Sequence, residues 1–135
     1  MKLHHLGIVV SDIKTSTRWW ERVCQFRQTS EIIHDPIQKV RVQFFEMAGL
    51  CVELIEPASE SSPMSAFLAE HGGGLYHLCF EVEDLDAAIE QLRQSGAFPI
   101  KTAEPAVAFE GRRIIFLVTD QNILIELVEA FKDEI

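Results

Sequence analysis

The chain has 135 residues, of which 47% are hydrophobic and 24% charged, a composition typical of one compact globular domain and not of a disordered segment. Its formal net charge of -9 disfavours binding to nucleic acid or to an anionic membrane surface. The three cysteines are widely spaced, which favours reduced thiols. We find no apolar run long enough for a signal peptide or a spanning helix, and we therefore expect a cytoplasmic protein.

The first half of the chain predicts a strand, a helix and two more strands. Residues 3–10 form a short, apolar and β-branched run, which predicts a strand. Asp12 is a good N-cap for a helix over IKTSTRWWERVCQF, whose apolar residues recur at helical spacing. The segments VRVQFFEM, from Val40, and GLCVELIE, ending at Glu56, then predict two strands.

A short helix and a second set of elements follow. Ser62 can cap this helix and Pro63 suits its first turn, while glycines 72–74 end it and lead into a strand over residues 75–82. Asp84 is the expected N-cap of a helix over LDAAIEQLRQSG. The segments RRIIFLVT and ILIELVE predict the last two strands.

The two halves of the chain repeat one another. LHHLGIVVSDI aligns with LYHLCFEVEDL at an offset of 72 residues, and VELIE aligns with IELVE at an offset of 73. Between these anchors, VRVQFF resembles RRIIFL. We therefore expect a duplicated unit of strand, helix and strands over about 1–56 and 73–130, with a linker helix at about 62–71, inside a single domain of residues 1–135.

The repeat places one histidine and one glutamate of each half on a strand face that is otherwise lined by small or apolar residues. A carboxylate in such surroundings needs a charge partner or a metal ion, because its burial costs several kcal/mol. If the halves pair about a pseudo-twofold axis, four side chains can bind one divalent ion, which could be Zn, Ni, Co, Mn or Fe(II). The predicted metal ligands are His5, Glu53, His77 and Glu126.

The other histidines compete with this assignment, because a single histidine in a strand is more often a core or surface residue than a ligand. His4 lies on the opposite face of its strand from His5 and matches Tyr76, so the repeat favours His5. His34 and His71 lie in loop-like sequence, where we expect solvent exposure.

Two further pairs of residues are notable, one because its members match in the repeat and one because its members lie on the predicted site face. Glu56 and Glu129 match each other at strand ends on the opposite face, and we expect both to be exposed. Cys51 and Cys79 share their faces with the candidate ligands. Small apolar lining is the simpler role for these cysteines, and a thiol ligand or a nucleophile is the alternative.

The sequence resembles the vicinal-oxygen-chelate superfamily, which includes glyoxalase I, bleomycin- and fosfomycin-resistance proteins and extradiol dioxygenases. The similar segments are HLGIVVSDI, VELIEPASESSPMSAFLAEHGGGLYHLCFEVEDL and GRRIIFLVTDQNILIELVE, and the stretch from Val52 to Leu85 is most similar to methylmalonyl-CoA epimerases. The resemblance implies an α+β fold of two tandem βαβββ modules with curved mixed sheets enclosing a metal cleft, and a homodimer. It gives the ligand role to the same four residues, although some relatives carry Gln at the position of Glu53.

The resemblance implies a metal-dependent epimerase or isomerase that transfers a proton next to a carbonyl. Glu126 is the favoured base, because it is a carboxylate on the predicted site face. Glu53 and metal-bound water are the alternatives. One alternative is a glyoxalase I-type lyase acting on a hemithioacetal of glutathione or another thiol. A second alternative is a non-catalytic protein of the same fold that binds or sequesters a small molecule. An acyl-CoA thioester is the first candidate substrate.

The sequence departs from the epimerases at positions that would lie near the substrate. Some epimerases carry a non-ligand carboxylate, acting as a base, on the strand that corresponds to VRVQFF, whereas this strand offers Val42 and Gln43 and has no acid before Glu46. The epimerase-like ending FLHP reads FLVT here, with Val118 and Thr119, and the loop 120–122 is short. These changes leave the acyl-CoA specificity open.

Overall fold

The computed structural model describes residues 1–132 and confirms the predicted α+β class. The chain divides into two compact units, one made of His5–Tyr76 and the other made of Met1–His4 together with the chain from His77 onward. None of the helices within residues 1–132 is both long and apolar enough to cross a membrane.

The first unit contains one mixed sheet. In chain order its elements are β1 (Lys2–Val9), α1 (Ile13–Cys24), β2 (Arg27–Gln28), β3 (Ile33–Asp35), β4 (Val40–Met47), β5 (Leu50–Pro57) and α2 (Pro63–His71). The short strands β2 and β3 both pair antiparallel with β4; β4 pairs antiparallel with β5, and β5 pairs parallel with β1. With β2 and β3 counted as one interrupted strand, this is a βαβββ arrangement in which the last strand lies beside the first.

The second unit repeats this topology. Here β10 (Leu124–Glu129) pairs parallel with β6 (Gly74–Val82) and antiparallel with β9 (Arg113–Thr119). β9 pairs antiparallel with the short strands β7 (Ala97–Pro99) and β8 (Glu104–Pro105). The two tandem βαβββ modules are therefore confirmed. In chain order the elements are β6 (Gly74–Val82), α3 (Leu85–Gln94), β7 (Ala97–Pro99), β8 (Glu104–Pro105), a 3-10 turn (Val107–Phe109), β9 (Arg113–Thr119) and β10 (Leu124–Glu129).

Each long helix begins at the aspartate predicted as its cap. The Asp12 carboxylate accepts a hydrogen bond from the Thr15 N–H, and the Asp84 carboxylate accepts one from the Ala87 N–H. α1 ends two residues before the predicted end, because Gln25 takes a left-handed conformation with φ of 57°.

Each helix covers the sheet face that does not carry the candidate ligands. In the first unit the buried core next to α1 consists of Ile13, Phe26, Phe45, Val52 and Leu54. In the second unit the core next to α3 consists of Val82, Leu85, Ala88, Ala97, Ile115, Leu117 and Leu127. Since Glu53 and Glu126 alternate with these core positions along β5 and β10, their side chains point to the face of each strand that lies away from the long helix of its unit.

The glycine-rich turn before β6 has one position that only glycine can fill. Gly73 has φ of 97°, and a Cβ there would lie 2.8 Å from the backbone carbonyl oxygen of Val9. Gly72, with φ of 72°, has nothing within 4 Å of a Cβ position. The chain following α2 therefore passes directly against the end of β1.

We expect Gly73→Ala to lower the free energy of unfolding by roughly 3 kcal/mol, because backbone strain and a backbone clash act together. Gly72→Ala is the matched control and should cost about 1 kcal/mol, since it has the left-handed strain without the clash. Urea denaturation followed by circular dichroism measures both values. Equal losses in the two variants would contradict the role given to the Val9 carbonyl.

Candidate functional site

The first unit brings His5 and Glu53 together. The parallel pairing of β1 with β5 sets Gly7 beside Glu53, so that the side chains of His5 and Glu53 meet on one face. Nε2 of His5 lies 3.2 Å from Oε1 of Glu53, and the two residues are only 1% and 4% exposed. The pair is thus withdrawn from bulk water.

The second unit contains an equivalent pair. β6 pairs parallel with β10 and sets Cys79, the repeat equivalent of Gly7, beside Glu126. Nε2 of His77 lies 3.1 Å from Oε1 of Glu126, and both residues are 3% exposed. Each unit therefore supplies one buried imidazole and one buried carboxylate in the same strand context.

The donor set of these pairs fits a divalent transition metal. Imidazole nitrogen and carboxylate oxygen are ligands that Zn, Ni, Co, Mn and Fe(II) accept. A buried carboxylate is costly unless positive charge or hydrogen bonds compensate it. A bound cation would supply that compensation to Glu53 and to Glu126.

An aromatic ring packs edge-on against the imidazole of each pair. The ring centroids of His5 and Phe44 are 5.8 Å apart with an interplanar angle of 74°. Those of His77 and Phe116 are 5.4 Å apart with an angle of 81°. Neither phenylalanine was singled out as a site residue from the sequence, although the match of VRVQFF with RRIIFL contains both.

The remaining histidines lie in different surroundings. His4 packs edge-on against Phe109 at 5.5 Å, within the second unit. His34 and His71 are exposed, as expected. His71 is the last residue of α2, which agrees with the linker helix predicted over about 62–71, whereas His34 belongs to β3 and not to a loop. A strand of three residues is too short to show a period in the sequence.

The exposure predicted for Glu56 and Glu129 was wrong. Their side chains are each 17% exposed, because each pairs with an arginine that lies opposite it on the neighbouring strand. Arg41 donates to Glu56 at 2.8 Å, and Arg113 donates two hydrogen bonds of 3.0 Å to Glu129. Glu56 also accepts the backbone N–H of Ile13 at 3.0 Å, which caps the start of α1. These repeated pairs stabilise the modules on the faces away from the candidate ligands.

The pKa of Glu129 is lowered, chiefly by the hydrogen bonds from Arg113 and also by its positive charge. A lowered pKa means that the pair stabilises the fold above the ordinary glutamate value of 4.5 and that this contribution is lost as the pH falls further. We expect Glu129→Gln to lower the free energy of unfolding by about 1 kcal/mol at pH 7, with the difference from the parent shrinking below pH 4.5. Urea denaturation at pH 7 and at pH 3.5 to 4 would measure it, with Glu46→Gln as the control for an exposed pair. A difference independent of pH would contradict the prediction.

The two cysteines near the pairs differ in exposure. Cys79 is fully buried, and Cys51 is half-buried. Burial and the nearby charge of Glu53 raise the pKa of Cys51 to about 11. A protonated thiol is a poor nucleophile, so the structure favours the lining role for Cys51.

The strands beside the two glutamates present apolar side chains to the same faces. Val42 and Phe44 of β4 lie opposite Ile55 and Glu53, and on β9 Phe116 lies opposite Glu126. Glu46, the first acid of β4, is held elsewhere: it accepts the N–H of Gly49 at 2.9 Å and faces Arg27 at 3.4 Å.

The departure at Thr119 has a local structural role. Its hydroxyl accepts the N–H of Ile123 at 3.0 Å, and its backbone bonds to Ile123 and Asn122 across the turn between β9 and β10. Asn122 takes a left-handed conformation with φ of 63°, which asparagine tolerates well. The short loop 120–122 is thus closed as a tight turn.

Comparison with known proteins agrees with the fold. The family model of the Glyoxalase/Bleomycin resistance protein/Dioxygenase superfamily matches residues 4–116. The ethylmalonyl-CoA/methylmalonyl-CoA epimerase of Cereibacter sphaeroides is 32% identical over 122 residues, which cover 86% of this chain and 87% of that protein.

Solved structures of two epimerases have the same fold. The methylmalonyl-CoA epimerase from Mycobacterium tuberculosis is 29% identical with a TM-score of 0.79, covering 97% of this chain and 89% of the other. A variant of the Streptomyces coelicolor methylmalonyl-CoA epimerase in complex with 2-nitronate-propionyl-CoA is 26% identical with a TM-score of 0.77, covering 98% and 99%. The chain therefore belongs to the Glyoxalase/Bleomycin resistance protein/Dioxygenase superfamily.

Proposed function

We propose that this enzyme is a divalent-metal-dependent epimerase that moves a proton on the carbon next to the carbonyl of an acyl-CoA thioester. The similarity to methylmalonyl-CoA epimerases supports an enzyme of the epimerase or isomerase class. The observation that carries the proposal is the buried His–Glu pair in each module, because such a pair offers both metal ligands and a carboxylate that can accept a proton.

We further propose that His5, Glu53, His77 and Glu126 hold one divalent ion together. The duplication supports this assignment, since it gives each module one imidazole and one carboxylate in equivalent strand contexts. The superfamily relationship supports it independently. When bound, the ion would stabilise negative charge that develops on substrate oxygen as the proton leaves.

The protein's own groups would do the remaining work. Glu126 would accept the proton at a carboxylate oxygen, and water would return a proton to the opposite face of the carbon. The imidazoles would keep the two carboxylates in place. Phe44 of β4 and Phe116 of β9 would keep the neighbouring surface apolar, which strengthens electrostatic interactions with the substrate.

One observation favours a second function, the glyoxalase I-type lyase. The strand that corresponds to the one where some epimerases carry a non-ligand carboxylate offers Val42 and Gln43, which are buried and cannot act as a carboxylate base. Isomerisation of a hemithioacetal also moves a proton between neighbouring carbons, and a single carboxylate can serve both steps. The substrate screen must therefore include both classes of thiol compound.

The test is proton exchange in deuterated water. Protein saturated in turn with Zn, Ni, Co, Mn or Fe(II) is mixed with a 2-alkyl-malonyl-CoA or with the hemithioacetal of glutathione and methylglyoxal. Deuterium at the α-carbon of the CoA ester, followed by mass spectrometry, would support the epimerase, and product from the hemithioacetal alone would support the lyase. Binding of either compound without turnover under all metals would replace both with the non-catalytic alternative.

We also propose that residues 1–135 form a single vicinal-oxygen-chelate domain that acts as a homodimer in the cytoplasm. The superfamily relationship supports the dimer, since paired modules commonly associate further. We expect a mass of twice 15.3 kDa by light scattering at micromolar concentrations. A monomer mass that persists across the concentration series would contradict this expectation.

A further inference from the structure

We propose that Phe44 and Phe116 are positioning residues that fix the ring orientation of His5 and His77 for metal binding. The inference rests on the proposed metal function and extends it to two residues that bind neither metal nor proton. Each phenylalanine belongs to the strand that pairs antiparallel with the glutamate-bearing strand of its own module.

The duplication places the two rings in equivalent positions. Phe44 and Phe116 are separated by 72 residues, the same offset as His5 and His77. In the strand register Phe44 lies opposite Glu53, and Phe116 lies opposite Glu126. Each module therefore holds a histidine, a glutamate and a phenylalanine on three strands that are neighbours in the sheet.

The geometry of the contacts suits restraint of the imidazoles. Both ring pairs are close to perpendicular, at 74° and 81°, with centroids 5.8 and 5.4 Å apart, which is the favourable edge-to-face arrangement of aromatic rings. A side-chain imidazole can rotate about its Cβ–Cγ bond, and a perpendicular phenyl ring opposes that rotation. A histidine held in one orientation loses less conformational entropy when it binds a metal, so its affinity rises.

The neighbouring positions on the same strands behave differently. Phe45 and Leu117 follow the two phenylalanines, and both are fully buried in the cores beneath α1 and α3. Phe44 and Phe116 are only half-buried and belong to the opposite faces, with the His–Glu pairs. A general packing role is thus concentrated in Phe45 and Leu117, which makes Phe45 a matched control.

The experiment compares Phe44→Leu, Phe116→Leu and Phe45→Leu in the full chain. Zinc affinity is measured by competition with a chromophoric chelator, and stability by urea denaturation. We expect Phe44→Leu and Phe116→Leu each to weaken zinc binding by about 2- to 10-fold, the size of an edge-to-face aromatic contact. Phe45→Leu should lower stability more than either, with zinc affinity within twofold of the parent. Phe44→Tyr and Phe116→Tyr keep a ring and should restore affinity.

A second readout does not depend on metal. Proton NMR of the histidine ring C–H groups in the metal-free chain should show the ring-current shift of His5 lost in Phe44→Leu alone, and that of His77 lost in Phe116→Leu alone. Unchanged ring-current shifts would overturn the positioning role. Zinc affinities that fall in proportion to the loss of stability in both Phe44→Leu and Phe45→Leu would also overturn it. A parent protein that binds no divalent metal would overturn the proposed function instead, and the NMR comparison would still show whether each phenyl ring contacts the histidine of its own module.

Discussion

His5→Ala and His77→Ala are each expected to remove the divalent ion from the purified protein. Each change deletes one nitrogen ligand and leaves a buried glutamate without the imidazole that faces it at 3.2 or 3.1 Å. Loss of a ligand should weaken metal binding by more than the roughly 10- to 100-fold that loss of an outer-shell partner costs. Metal content measured by plasma emission spectrometry, on protein prepared without chelators, should fall from about one ion per chain to a small fraction.

His34→Ala and His71→Ala are the matched controls, because both histidines are exposed and lie outside the His–Glu pairs. Metal content in these controls should equal that of the parent, and circular dichroism should show that all four variants are folded. Full metal occupancy in both His5→Ala and His77→Ala would remove the basis of the proposed metal centre. Loss in one variant only would restrict the centre to the pair of that module.

The long helices and strands were predictable because the spacing of their apolar residues has the period of the element that they form. β4 spans Val40–Met47 as predicted, since its β-branched and aromatic residues favour a strand. The short strands β2, β3, β7 and β8 were not predicted. Two or three residues cannot display an alternation, and the pairing of Arg27–Gln28 depends on contacts with β4 that are distant in the sequence.

The candidate ligands were predictable for a different reason, which is the duplication. One histidine or one glutamate in a strand carries little information, whereas equivalent positions in both halves single out four residues. The environment of Glu56 and Glu129 was not predictable from this pattern. Their partners, Arg41 and Arg113, lie on the adjacent strand, and only the strand register brings each arginine opposite its glutamate.

The same limit applies to the aromatic contacts. The repeat match of VRVQFF with RRIIFL already pairs Phe44 with Phe116 at the offset of the histidines. It does not reveal that each ring lies opposite the glutamate of its own module, because that requires the register of β4 with β5 and of β9 with β10. A repeat therefore identifies which residues are equivalent, and the fold determines what they contact.

Glu126→Gln is expected to abolish exchange of the substrate α-proton, whereas Glu53→Gln should retain much of it. The two glutamates occupy equivalent places in their modules, each about 3 Å from an imidazole, yet the reaction needs only one of them to accept the proton. The superfamily resemblance implies that glutamine can stand at the position of Glu53, and we therefore expect an amide oxygen to be sufficient there. A glutamine keeps an oxygen ligand but cannot accept a proton at neutral pH.

The side chains of the neighbouring strand β4 offer no better candidate for the base that accepts the substrate proton. Val42 and Phe44 cannot accept a proton, and Glu46 is engaged with the backbone of Gly49 and with Arg27. Exchange of solvent deuterium into the substrate should therefore fall by about two orders of magnitude or more in Glu126→Gln, the usual contribution of a general base.

The two variants must be compared at matched metal content, with whichever thioester or hemithioacetal the parent turns over. Metal analysis of each sample separates loss of the ion from loss of the base, because both side chains are proposed ligands. We expect the metal content to be similar in the two variants and the exchange rates to differ by at least about tenfold. Equal exchange rates would mean that Glu126 acts only as a ligand, and proton transfer would then have to be assigned to bound water or to a group on another strand.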